Sequence, residues 1–176
     1  RELRELILPR FEDRQGGAFF FTSDDHETLI HRTKSFGDDA IPAGNGVAAF
    51  ALQRMGHLLG ETRYLDAAER TLRAGWQAIE KYPHAHTTLL GALEEVLDPP
   101  QIVLLRGESG QIADWRGALS RLYAPHRLTL AIPASATELP PALADKTPRG
   151  AAVAYVCRAS TCSAPIENLS ELIQAL

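Results

Sequence analysis

The stretch LDPPQIVLLRG, residues 97–107, decides how this chain divides. Ahead of it, apolar residues recur at three and four positions. At Asp98-Pro99-Pro100 that period stops, because proline lacks the N–H a helix needs and disfavours helical dihedrals in the residue before it. The aliphatic run that follows, Ile102 to Leu105, ends at Gly107 and has the pattern of a short buried strand. Residues 45–98 therefore read as a run of helical hairpins and residues 99–176 as a small α/β domain.

Toward the N-terminus, Asn45 to Leu59 places Ala48, Ala51, Leu52, Met55, Leu58 and Leu59 on one helix face, with Gly60 as the stop. Thr62 can cap a second helix, in which Leu65, Ala68, Leu72, Gly75, Trp76 and Ile79 repeat up to Lys81. The connection Gly60–Thr62 is short enough to make the two helices antiparallel neighbours. Pro83 opens a third helix, with Ala85, Leu89, Ala92, Leu93, Val96 and Leu97 facing inward. At the start of the chain, Leu3, Leu6 and Ile7 sit at helical spacing with no capping residue before them, so a piece cut from a longer protein is expected.

Toward the C-terminus, QIVLLRG, RLTLAIP and AAVAYVC read as three strands at residues 101–107, 127–133 and 151–157. Ile112, Trp115, Leu119 and Leu122 fit a helix between the first two, which predicts a parallel right-handed crossover. Residues 134–150 read as a Pro/Ala-rich connection with at most one helical turn, and Asn168 caps a final helix. The fold class expected is α+β, with a mainly parallel three-stranded sheet after the helices.

Composition excludes several functions. The 176 residues are 45% apolar and 23% charged, the balance of a globular protein. A net charge of -4 without any extended Lys/Arg cluster gives no footprint for nucleic acid or an anionic membrane. No apolar run approaches the ~20 residues of a membrane span. The charged start RELRELILPRFEDR is not a secretory signal, so a cytoplasmic location is expected. No cofactor motif is read.

Polar chemistry concentrates in residues 16–45. Asp24, Asp25, His26 and Glu27 crowd carboxylates beside an imidazole, a grouping that can supply acid and base because neighbouring charges separate pKa values. The plainer reading is an Asp/Ser turn capping a helix over residues 25–32. His26 and His31 are five apart and do not share a helix face, so no metal site is expected. Asp38, Asp39 and Asn45 frame the entry to the next helix, whose free N–H groups favour an anionic or hydroxyl-rich ligand; a plain N-cap also accounts for Asn45. Cys157 and Cys162 lack redox-motif spacing, and two separate thiols are the preferred reading; a hairpin-like loop joining them as a redox pair is the alternative.

The residues GGAFFFTSDDHETLIHRTKSFGDDAIPAGNGVAA, the hairpin GETRYLDAAERTL, the strand PPQIVLLRG and the ending AYVCRASTCSAPIENLSELIQAL resemble the C-terminal portion of the thioredoxin-domain-containing, spermatogenesis-associated protein family. The most specific parts are Asp38-x-Ala-Ile-Pro-x-Gly-Asn45 and Tyr155-Val-Cys-x4-Cys-x-x-Pro-Ile. The resemblance implies a parent with a thioredoxin-like domain and an α/α toroid similar to that of N-acylglucosamine 2-epimerases and six-hairpin glycosidases. It makes residues 1–98 the last hairpins of the toroid. On this reading the parent binds or processes a sugar, with Asp25, His26 and Asp38 as catalytic candidates and Asp39 and Asn45 as substrate-binding ones. A non-catalytic interaction or redox-accessory scaffold for the missing thioredoxin-like domain is the alternative, and for the piece by itself a structural remnant without independent activity is the favoured reading. Without the missing segments, exposed apolar helix faces should drive self-association.

Overall fold

The computed structural model describes residues 2–27 and 30–176, with side chains in the first helix described from Leu6 onward. Two units form: residues up to Gly56 with Glu61–Asp98, and His57–Gly60 with Pro99–Leu176. In the first unit, α1 (Glu2–Phe11) is followed by a stretch whose described residues are mostly irregular, then by α2 (Gly44–Leu59), whose residues from His57 on fall in the second unit, and by α3 (Thr62–Lys81) and α4 (Thr87–Leu97). A short 3-10 turn, Pro83–Ala85, rather than α-helix, follows the proline ahead of α4.

The inward face of α2 differs from the one its apolar spacing predicts. Asn45, Gly46, Ala49, Leu52, Gln53 and Gly56 are buried, whereas Ala51 is exposed. The cause is close helix approach. A Cβ on Gly46 would stand 2.8 Å from the Thr88 Cβ, and one on Gly56 would stand 2.5 Å from Leu65. Gln53 can point inward because its Nε2 donates to the Ala92 carbonyl at 2.6 Å, and a buried amide is tolerated when bonded. Arg54 reaches Glu95 on α4 through Nε and Nη2, with the Glu95 side chain fully buried.

In the second unit, β1 (Gln101–Gly107), α5 (Ser109–Leu119) and β2 (Arg127–Pro133) form the expected parallel crossover. The one-turn α6 (Pro141–Ala144) lies in the next connection, followed by β3 (Ala152–Arg158), β4 (Thr161–Cys162) and α7 (Leu169–Ala175). The sheet has four strands in the order β2-β1-β3-β4, and only the β1–β2 pair is parallel. This corrects the expectation of a mainly parallel three-stranded sheet. A second parallel return needs a full crossover, and α6 has only 4 residues, so β3 runs antiparallel to β1. Nor is a toroid formed: the described chain is α+β, with seven helices and this mixed sheet.

One sheet face carries Val103, Leu105 and Ala154 against Ile112, Trp115 and Leu119 of α5 and Leu172 of α7. On the other, Leu104, Val153 and Tyr155 pack with Leu143, and Leu58 and Leu59 belong to the same cluster. Asn168 caps α7 as its position predicts, accepting from the backbone N–H of Ser170 and Glu171. No described helix is long and apolar enough to cross a membrane.

Candidate functional site

The described residues between Phe11 and Gly44 contain almost no regular structure, so their backbone groups need partners from elsewhere. Asn45 supplies three. Its Oδ1 accepts the Phe19 N–H at 2.7 Å, and its Nδ2 donates to the carbonyls of Phe19 at 3.0 Å and Ser35 at 2.9 Å. The amide thus acts like a short piece of strand between two loop segments, and it is 4% exposed. It lies inside the first turn of α2, which begins at Gly44; the side chain points back into the irregular segment.

Asp38 plays a matching part. Its Oδ1 accepts from the Ala43 N–H at 2.8 Å, and its Oδ2 accepts from the Thr88 N–H at 2.8 Å and the Thr87 hydroxyl at 2.9 Å. The carboxylate therefore caps α4 from a distant part of the chain, where the helix dipole also favours negative charge. Desolvation raises its pKa, but the bonds from Ala43, Thr88 and Thr87 outweigh that and bring it to about 2. As an ionised acceptor with both oxygens engaged, Asp38 is suited to holding structure.

Asp25 and His26 lie in a separate exposed turn. Asp25 accepts the Ser23 hydroxyl at 2.6 Å and pairs with Arg10 of α1 at 2.9 Å, and Asp24 pairs with the same guanidinium at 3.1 Å. The Ser23 hydrogen bond, and after it the Arg10 charge, lowers the Asp25 pKa. The His26 Nδ1 stands 3.3 Å from the Glu27 carbonyl. The helix expected over residues 25–32 includes Thr28 and Leu29, which lie outside the described residues; Asp24 and Asp25 form a turn, and Arg32 is not helical. Among the described residues, no group of three or more His, Cys, Asp or Glu side chains is placed to hold a metal ion.

Among the described residues this unit has a concavity of about 430 Å³ lined by Leu8, Glu12, Arg63 and Arg70 among others, and a larger apolar groove of about 740 Å³, walled by Leu6, Ile7 and Phe11 of α1, by Phe19–Phe21, and by Ile41 and Pro42. Asp39 and Asn45 line it too; Asp25, His26 and Asp38 do not. Of the two, Asn45 has its amide engaged by backbone, and Asp39 is exposed. Sequence reasoning missed the aromatic wall, although the signal was present in three consecutive phenylalanines, Phe19–Phe21. Phe19 makes only an isolated bridge to Glu12.

In the second unit, Cys157 and Cys162 form a disulfide, which corrects the preferred reading of two separate thiols. The physical reason is β4: the chain turns back after β3 and sets the two cysteines opposite each other in register.

Compared with models of known families the chain matches none, and no curated protein shows significant similarity to it.

Proposed function

We propose that the N-terminal unit is a non-catalytic interaction scaffold, with the aromatic groove as its contact face and a second copy of the chain as the occupant. One observation carries this reading: the same face holds both a concavity of about 740 Å³ and protruding apolar side chains. Phe21 is 81% exposed and Ile41 76%. A face with both knobs and a hole is self-complementary, as a two-fold interface requires. Apolar surface of this kind, with Asp39 as its exposed acidic residue, gains free energy by leaving water. The engagement of Asp38 and Asn45 by backbone groups further favours binding over catalysis.

Sedimentation across a concentration series tests the proposal. The chain should dimerise with a dissociation constant of micromolar order, about -8 kcal/mol, and Phe21→Asp with Ile41→Asp should leave a folded monomer. A wild-type chain that stays monomeric to about 100 μM would remove the reading. If that monomer instead bound a sugar saturably, and Asp39→Ala abolished the binding, the carbohydrate reading would replace it.

A further inference from the structure

The second unit carries a feature that the groove does not use. Cys157 is the last residue but one of β3, and Cys162 lies opposite it on β4, the outermost strand on that side of the sheet. Cys162 is exposed and Cys157 half-buried, and the residues joining them, 158–161, are all exposed. The buried cluster on Val103, Leu105 and Ala154 contains neither sulfur.

The turn that the disulfide spans has other ties. The cysteines are five positions apart, so the loop they close is short and its closure removes less chain entropy than that of a long loop. That loop is already closed by backbone: the Ser163 N–H donates to the Val156 carbonyl at 2.8 Å, and the Val156 N–H donates to the Ser163 hydroxyl at 3.3 Å. The positive φ of Ala159, 50°, supplies the turn. A bond whose turn is also held by hydrogen bonds, on an exposed rim, can open and close while the fold persists.

We propose that Cys157–Cys162 is a thiol–disulfide exchange site for a protein dithiol. A thiolate of the partner attacks Sγ of the exposed Cys162; the bond to Cys157 breaks, and Cys157 leaves as a thiolate that takes a proton from solvent. The partner's second thiol loses its proton and attacks the partner sulfur of the mixed disulfide. Cys162 leaves as a thiolate and is protonated. Two electrons and two protons pass to this chain, and the partner departs as a disulfide. Exposure sets the order of attack, with Cys162 ahead of Cys157.

The test uses the whole chain in native buffer with dithiothreitol as the probe, quenched with N-ethylmaleimide and read by intact mass. The expected result is two labels with an unchanged far-UV circular dichroism spectrum, and reformation of the bond on adding glutathione disulfide. Labelling that requires denaturant, or a sheet that melts on reduction, would overturn the proposal by making the bond a staple. Single variants test the order. With glutathione disulfide, Cys162 in Cys157→Ser should form a mixed disulfide about tenfold faster than Cys157 in Cys162→Ser, because access controls the rate. Equal or reversed rates would overturn the assignment of Cys162 as the attacked sulfur.

Discussion

The carboxylate of Asp38 accepts the backbone N–H of Thr88 at 2.8 Å across fifty positions of sequence. With the bond from Ala43 on its other oxygen, it ties the entry of α2 to the first turn of α4. Removing such a cap costs about 0.5–2 kcal/mol in general, and here two helix entries share one carboxylate. Asp38→Ala should lower the unfolding free energy by about 2 kcal/mol, measured by urea denaturation. A loss indistinguishable from zero would return Asp38 to the list of groups held for a ligand.

Asn45→Leu should be more damaging than its similar size suggests. The Phe19 N–H and the carbonyls of Phe19 and Ser35 would all lose their partner, and each buried orphan costs about 1–3 kcal/mol. The expected loss is about 3 kcal/mol, with faster amide exchange at Phe19 as the local signature. Normal protection of that amide in a folded variant would contradict the role given to the side chain.

Arg54 and Glu95 should behave as a unit. Arg54→Met leaves a fully buried carboxylate without its guanidinium, which costs about 3–5 kcal/mol. Adding Glu95→Leu removes the stranded charge and should recover most of that loss. A double-mutant cycle measures the coupling, and additive losses would mean that the pair is not coupled.

Acid should destabilise the first unit through two particular carboxylates. The Gly16 N–H, and after it Lys34, hold Asp13 at about 2, and Asp38 also sits at about 2. A folded-state pKa below the unfolded value of roughly 3.9 means that folding favours the ionised form. The contribution is therefore full above about pH 4 and lost as pH falls through about 2. Unfolding midpoints measured from pH 7 to pH 2 should drop steeply in that window and less steeply in Asp13→Asn with Asp38→Asn. Parallel curves for the two proteins would exclude these groups as the cause.

Periodicity in the sequence located α2 and α3, because an apolar repeat of three and four is a local property. It misread which side of α2 turns inward, since Gly46, Gly56 and Gln53 are buried for reasons that lie on other helices: Thr88, Leu65 and the Ala92 carbonyl. Strand composition marked β1, β2 and β3 but carried no direction. Direction depends on what the connection over residues 134–150 can span, and a strand of two residues such as β4 has no periodicity to detect. Asp38 and Asn45 stood out because acid, proline and glycine crowd there. Their partners, 50 and 26 positions away, could not be read locally.

β4 has one more consequence. A sheet's rim normally offers unpaired N–H and C=O groups on which another chain can template a strand, the first step toward fibrils. On that side the sheet ends in only two residues, Thr161 and Cys162, and Arg158 beside them is exposed and charged. Too few ladder groups remain for an incoming strand to hold its register, so on this flank the protein resists stacking into open-ended polymers.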